Sequence, residues 1–419
     1  MKRFVFVLLA LLIPIQSLYA APVLTLEEAL TTALKNNPQI VEAKENLNGA
    51  DARTGLALSN YYPQISIAAD WSRGCSYLTA LQGIKTTEVN TEALYLKQTI
   101  YDFGRTAGAV AAARGNRDAA DQALAVTLQD LTLRVRSAYY LLLAAEKQVV
   151  AVRETVKARE EVFRQAEEFF KQGVRAKVDV ARAEATLFAA RTSLIRADNN
   201  REIARVELAN AMGMESLGER PLVEPPSVSS PVPERASSQQ DALRNRPELR
   251  QFADLKSVAS GNLTSAKSSY LPILSGVASA GYADRDFPPT GNVWGVGLNL
   301  TVPLFSGFSS VEQVREATAA INSIEARQNS LRLQISKEVE SARLGVNEAA
   351  ARMVSTEKEV AAANESKSLA EGRYQEGVGN IIEVSDAQSQ ALDAQTSNIQ
   401  AKYDYYTALA RFDRAVGKQ

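Results

Sequence analysis

The sequence predicts a mainly α-helical chain that also supplies strands to a membrane β-barrel portion. It is organised as two tandem repeats, each giving a strand hairpin and a long helical hairpin. Three observations indicate this fold class. A glycine-centred stretch at residues 170–180 recurs at residues 374–384, each copy interrupts a very long helical pattern, and stretches with a period of two residues precede both copies. Because glycine adopts conformations that a helix interior penalises, each stretch should form the tip of an antiparallel helical hairpin.

Composition excludes several classes of function. The 419 residues are 46% hydrophobic, which allows a large core, but they include no His and a single Cys, Cys75. Without histidine the commonest general base and the commonest metal ligand are missing. A lone Cys permits no internal disulfide and no Cys-cluster zinc site, and a net charge of −1 gives no basic surface for nucleic acid. We therefore predict no enzyme, cofactor, metal site or nucleic-acid partner.

Residues 1–20 are predicted to be a cleaved signal peptide. Lys2 and Arg3 precede an apolar run at residues 4–13, and Pro14 and a small-residue end at Ala20 and Ala21 follow it. The run is too short to span a bilayer, and no later stretch reaches about eighteen consecutive apolar residues. No Cys follows the cleavage site, so no lipid attachment is expected there.

The first repeat, residues 21–213, begins with a helical pattern that Pro38 should divide into two helices. After Pro63 the period becomes two, which predicts strands at about residues 64–73 and 91–100. Strands of roughly ten residues have the length that crosses an outer membrane when tilted.

The period then becomes 3.5 residues, which predicts a helix at about 105–170, on the order of 95 Å long, and a return helix at about 178–212. A sustained period of 3.5 is typical of a left-handed coiled-coil seam. The predicted seam residues are Leu124, Leu128, Leu131, Val135, Ala138, Leu142, Ala145, Val149, Val152 and Val156.

A Pro- and Ser-rich connector at residues 214–240 leads into the second repeat, residues 241–419. Pro38 and Pro63 match Pro247 and Pro272, in each case 209 residues later, while Gly173 matches Gly377, 204 residues later. Constant offsets indicate a duplicated unit. The second repeat should therefore hold strands at about 272–283 and 292–304, a long helix at about 309–374 and a return helix at about 382–416.

Aromatic residues cluster where the predicted strands meet the helices. Such a cluster suits an aromatic girdle at a membrane interface, although the same side chains could instead cap the core of a soluble domain. The residues are Tyr61, Tyr62, Tyr101, Phe103, Tyr270, Phe305 and Phe308.

Four strands cannot close a membrane barrel by themselves, because about eight are needed and an open edge in lipid leaves backbone groups unpaired. The chain must therefore oligomerise. We expect a ring of strands in the membrane that continues into a tube of helices.

The duplicated order of elements, together with local motifs, resembles the TolC family of outer-membrane efflux proteins. The strand-to-helix motif is Ile-Tyr-Asp-Phe-Gly-Arg at 100–105 and Leu-Phe-Ser-Gly at 304–307. The hairpin-tip motif is Arg-Tyr-Gln-Glu-Gly-Val at 373–378 followed by Glu-Val-Ser-Asp-Ala at 383–387. The resemblance implies a TolC-like homotrimeric α/β barrel in the cell outer membrane, in contact with outer-membrane lipid and extending into the periplasm. There it would meet a periplasmic adaptor protein and an inner-membrane pump, as the exit duct of a tripartite efflux or type I secretion system.

The resemblance also implies a periplasmic gate at Tyr374, Glu383 and Asp386, with Asp179 in the first repeat. In a homotrimer each inward-facing acid becomes a ring of three, which attracts cations. Alternatively, an acid in the first turn of a helix simply stabilises that helix through the macrodipole. A basic residue that some relatives carry after the turn is replaced here by Gly379.

The tips resemble the segments that the family presses against the adaptor. Their residues are Gly173, Val174, Arg175, Gly377, Val378 and Gly379. Any helical hairpin needs a glycine turn, however, so the glycines alone do not identify a partner. A second interpretation of the whole chain is a periplasmic structural or adaptor coiled-coil protein without a membrane barrel, which salt extraction would release.

Overall fold

The computed structural model describes residues 23–78, 83–226 and 234–418. The predicted signal peptide at residues 1–20 lies outside the described residues, as do Pro231 and Pro233 of the connector. The chain divides into two compact units. As far as they are described, the first comprises Met1–Lys35, Val135–Ser230 and Thr356–Tyr403, and the second comprises Asn36–Arg134, Pro231–Ser355 and Asp404–Gln419.

Each repeat contributes four α-helices to the described part of the chain. Matching helices have equal lengths of 11, 21, 67 and 35 residues, which confirms the duplication. The first set is α1 (Leu26–Asn36), α2 (Pro38–Leu58), α3 (Arg105–Lys171) and α4 (Lys177–Ala211). The second set is α5 (Arg235–Asn245), α6 (Pro247–Lys267), α7 (Ser309–Gln375) and α8 (Ile381–Ala415). Among the described residues, no helix is both long enough and apolar enough to cross a membrane.

The break between α1 and α2 follows directly from the local sequence. Pro38 occupies the first turn of α2, where its missing N–H is not needed. The side chain of Asn37 caps the helix by accepting a hydrogen bond from the backbone N–H of Gln39 at 2.9 Å. Pro247 begins α6 at the equivalent place, without a side-chain cap from Arg246.

The predicted seam of α3 is buried over most of its length. All its residues from Leu131 to Val156 are at most 9% exposed, while Leu124 and Leu128 are half-buried. In the first unit Val156 packs against Leu187 and Ala190 of α4. The seam therefore holds the long helix against its return helix.

The strands form one antiparallel sheet in the second unit, in the order β1-β2-β3-β4. They are β1 (Gln64–Leu78), β2 (Gly83–Tyr101), β3 (Ile273–Asp284) and β4 (Gly291–Thr301). β1 and β2 exceed the roughly ten residues expected from their apolar alternation. Polar pairs such as Arg73 with Glu88 continue the ladder beyond the apolar alternation, because backbone pairing does not require an apolar face.

A tight turn joins the last strand of each hairpin to the long helix. Phe103 and Gly104 have φ of 55° and 98°, and the matching Gly307 and Phe308 have 62° and 67°. A positive φ is unusual for phenylalanine. In the first repeat, the carboxylate of Asp102 offsets this strain by accepting hydrogen bonds from the N–H groups of Gly104 at 3.2 Å and Thr106 at 2.7 Å.

Candidate functional site

Both helical hairpins of the first unit turn in the same way. The N–H of Val174 bonds to the carbonyl of Phe169 at 2.9 Å, and the N–H of Val378 bonds to the carbonyl of Arg373 at 3.0 Å. These bonds, with Gly173 and Gly377 at φ of 73° and 75°, form a Schellman-type helix end. The glycines are therefore required by the turn itself.

The turns leave one valine exposed at each tip. Val174 is 60% exposed and Val378 is 72% exposed. Neither side chain is needed for the turn, whose hydrogen bonds are all between backbone groups. Each tip therefore presents one exposed apolar side chain.

Arg175 connects the two tips. Its Nη2 donates hydrogen bonds to the carbonyl oxygens of Gly377, at 3.0 Å, and Gly379. Its guanidinium carbon also lies 5.8 Å from the centre of the Tyr374 ring, within the range of a cation–π contact. A cation from the first repeat thus binds the second tip, at the position where Gly379 itself carries no charge.

Gly379 packs closely against the end of α7 because it has no side chain. An added Cβ would lie 2.9 Å from the backbone nitrogen of Tyr374 and 3.0 Å from the carbonyl carbon of Arg373. The replacement of a basic residue by Gly379 therefore agrees with the local packing, which leaves no room for a side chain there.

Tyr374 lies inside this part of the molecule. It is 1% exposed, and it packs in a cluster with Ala166, Ala183, Ile381 and Val384. Its hydroxyl has no hydrogen-bond partner among the described residues. Burial and the nearby Asp179 carboxylate raise the pKa of Tyr374, whereas Arg175 lowers it.

Glu383 and Asp386, the two predicted gate acids on α8, are exposed. The side chain of Asn380 caps α8 by accepting the N–H of Glu383 at 2.9 Å. The Oε2 atom of Glu383 also lies 3.6 Å from Nε of Arg373. This ion pair is at the surface, because the side chain of Arg373 is 60% exposed and that of Glu383 is 46% exposed. Asp386 is exposed three residues further along the helix. Asp179 is half-buried in the first turn of α4.

Sequence reasoning missed Arg159, which ties α3 to α8. Its guanidinium donates to the hydroxyl of Ser389 at 2.8 Å and to the carbonyl of Ser385 at 3.4 Å. Arg159 is 8% exposed, and burial lowers its pKa. The sequence pattern could have indicated this residue, because Arg159 occupies the next seam position, three residues after Val156.

The junction aromatics lie at the sheet end of the second unit. Tyr101 and Phe103 pack edge to face with ring centres 4.6 Å apart, as do Phe305 and Phe308 at 5.6 Å. All seven predicted residues are exposed, namely Tyr61, Tyr62, Tyr101, Phe103, Tyr270, Phe305 and Phe308. No group of acidic or Cys side chains suited to a metal ion occurs among the described residues.

The sequence matches a known protein family and several of its members. The model of the family described as "Outer membrane efflux protein" matches residues 29–214 and 239–418. Protein CyaE of Bordetella pertussis is 26% identical over 383 residues, covering 90% of this chain and 80% of CyaE. The outer membrane protein TolC of Vibrio cholerae is 24% identical over 408 residues, covering 94% and 90%.

A solved structure shows the same fold. The outer membrane protein VceC of Vibrio cholerae superposes with a TM-score of 0.81 at 19% identity, over 94% of this chain and 96% of that one. Because the family model matches well over half of the chain, the chain belongs to the outer membrane efflux protein family.

Membership confirms the predicted TolC-like fold class and the outer-membrane location with a periplasmic extension. It also selects the duct over the soluble adaptor interpretation. Proteins of this family are homotrimeric efflux ducts that work with a periplasmic adaptor and an inner-membrane pump.

Proposed function

We propose that the chain is a passive exit duct of a tripartite efflux or type I secretion system, closed at its periplasmic tips until a partner opens it. The observation that carries the proposal is the pair of tips joined by Arg175, each presenting an exposed valine. This arrangement offers one element that can hold the tips together and another that can bind a partner.

The gate would combine an acid ring with internal links. In the trimer, three copies of Asp386, together with Glu383 and Asp179, would attract cations at a constriction. Tyr374 is buried, so it would act through the packing of the two hairpins rather than by lining the channel. Arg175 and Arg159 would hold α8 in the closed arrangement.

The remaining surfaces have distinct roles. Val174, Val378 and the tip residues around them, Gly173, Arg175, Gly377 and Gly379, would pack against the helical hairpin of the adaptor. The exposed junction aromatics would lie at the inner interface of the outer membrane, where aromatic rings are enriched. In the part of the chain that the structure describes, no group of residues suggests bond-making chemistry, so we propose that the chain is not an enzyme.

Photo-crosslinking tests the partner surface. A photoreactive side chain at Val378 should capture one periplasmic adaptor in intact cells, in a product that also fractionates with outer membranes. The matched control is Val206, which is 66% exposed on α4, and it should give no such product. Capture from Val206 but not from Val378 would contradict the proposal.

A further inference from the structure

A cavity of about 620 Å³ lies in the second unit, between the middle of α7, the end of α8 and the residue before α6. Its lining includes four cationic side chains, Arg246, Lys337, Arg411 and Arg414, and one carboxylate, Glu338. Pockets that hold small molecules commonly have volumes of about 300–1,000 Å³. The cavity therefore has the size of a ligand site, and most of its charged side chains are positive.

Two of the four cations are buried and already held in place. The side chain of Arg246 is 7% exposed and that of Arg414 is 11% exposed. Both donate hydrogen bonds to the carboxylate of Glu248, from Nη2 of Arg246 at 2.8 Å and from Nη2 of Arg414 at 2.6 Å. Arg246 also pairs with Glu338, and Arg414 pairs with Asp130. These ion pairs fix two guanidinium groups in the wall of the cavity.

The other two cations have no such partner. Lys337 of α7 and Arg411 of α8 are exposed, and neither forms an ion pair within the described part of the chain. In addition, Nη1 of Arg414 is buried and lacks a hydrogen-bond partner among the described residues. The cavity wall therefore keeps two uncompensated positive charges, one from each helix, and an unused N–H donor.

The first repeat shows that the fold does not need these four cations. The offsets of 209 and 204 give the four matching positions in the first repeat, and none of them is cationic. They are Asn37, Leu133, Glu207 and Asn210. Both repeats nevertheless form helices of equal lengths, with the same proline at the start of α2 and α6. The cationic cavity is therefore particular to the second repeat.

The helix macrodipole does not account for the whole set. It favours cations in the last turn of a helix, which explains Arg414 of α8 without a ligand. The effect falls off within one turn, and Lys337 lies near the middle of α7. Because Lys337 and Arg411 line one cavity with like charges, they also repel each other. An anion between them removes this repulsion.

We propose that the cavity binds a small polyanion, with two or more carboxylate or phosphate groups, that bridges Lys337 of α7 and Arg411 of α8. Ammonium and guanidinium groups bind both kinds of anion through charge-assisted hydrogen bonds. The fixed arginines behind them, Arg246 and Arg414, add positive potential without having to move. The bound anion joins the middle of α7 to the end of α8. The cavity lies within one unit of one chain, so binding there does not depend on the duct function proposed above.

Isothermal titration calorimetry of the purified protein in detergent tests the site, with citrate and inorganic pyrophosphate as separate probes at about 0.15 M salt. The unmodified protein should bind at least one of them, with one molecule per chain. Lys337→Gln combined with Arg411→Gln should weaken binding by about tenfold for each cation removed, because each loss removes a charge-assisted hydrogen bond. Binding of citrate alone would support the site and assign a carboxylate ligand, and binding of pyrophosphate alone would assign a phosphate ligand.

The matched control is Arg327→Gln combined with Arg332→Gln, which removes the same charge from exposed positions of α7 outside the cavity. This pair should leave the affinity unchanged. Lys337→Arg combined with Arg411→Lys keeps both charges and should retain binding, and thermal unfolding without a probe shows that each variant is folded. Binding of neither probe to the unmodified protein would overturn the site, as would equal weakening in the control pair or loss of binding in the folded charge-retaining pair.

Discussion

At the residue scale, two arginines, Arg175 and Arg159, join the two helical hairpins by hydrogen bonds. Arg175 donates two hydrogen bonds to carbonyl oxygens of the opposite tip, and hydrogen bonds that involve a charged group contribute about 1.5–3 kcal/mol each. Arg159 is buried with only hydroxyl and carbonyl partners. Arg159 bonds to α8, and Arg175 bonds to the turn that precedes α8, so side chains from the first hairpin hold the second.

Arg175→Ala should loosen the contact between the tips. In a Cys75→Ser chain with spin labels at Val174 and Val378, the distance distribution should broaden, because the bonds to Gly377 and Gly379 are lost. Lys177→Ala is the control, since Lys177 is an exposed cation close to the same tip. Equal distributions in the two variants would argue against a link through Arg175.

A second cluster predicts how stability depends on pH. Burial alone would raise the pKa of Glu248, but hydrogen bonds from Arg246 at 2.8 Å and Arg414 at 2.6 Å hold it at about 2, below the ordinary 4.5. A lowered pKa in the folded state stabilises the protein above pH 4.5. That stabilisation is lost as the pH falls from 4.5 towards 2, and its size is about 3 kcal/mol per protomer.

Glu248→Gln should therefore lower the midpoint of thermal unfolding at neutral pH and flatten its decline below pH 4.5, as measured by circular dichroism in detergent. The exposed Glu357, which makes no ion pair among the described residues, provides the control as Glu357→Gln. An unchanged pH profile in Glu248→Gln would mean that other acids dominate the acid transition.

At the element scale, α3 and α6 pack so closely at Gly108 that no side chain fits between them. A Cβ added at Gly108 would lie 2.6 Å from the carbonyl oxygen of Gly261 and 2.7 Å from the nitrogen of Ser265. Both obstacles are backbone atoms, so the helices would have to separate. The matching position in the second repeat is Glu312 on α7.

Gly108→Ala should destabilise the protein by about 1–3 kcal/mol, the usual cost of overpacking. Gly345→Ala is the matched control, because Gly345 lies in α7 with open space around it and should gain up to about 1 kcal/mol from helix propensity. Thermal unfolding of the two variants measures the difference. Equal stability would contradict the close approach of α3 and α6.

The elements themselves could be predicted from periodicity and breakers. Pro38 and the 3.5-residue seam place α2 and α3, and the repeat offsets then carry the pattern to the second half. The lengths of β1 and β2 could not be predicted this way, because pairs such as Arg73 with Glu88 extend the ladder without an apolar pattern. The hydrogen bond from Arg175 to Gly379 could not be predicted either, because it depends on how two hairpin tips that are 204 residues apart in the sequence pack together.

At the scale of the whole molecule, the tandem repeat explains how one chain can build a closed assembly. The two helices of each long hairpin have the same lengths in both repeats, and a strand hairpin precedes each of them. The family assignment places that assembly in the outer membrane.

The most direct test of this account is the conductance of the purified protein in planar lipid bilayers. The unmodified protein should give small, cation-preferring single-channel steps, and Asp386→Ala should give larger steps with weaker block by multivalent cations. Glu376→Ala, which removes another exposed acid near the same tip, should leave both properties unchanged. Conductance and cation block that stay the same in Asp386→Ala would remove Asp386 from the gate, and the absence of any channel would contradict the duct itself.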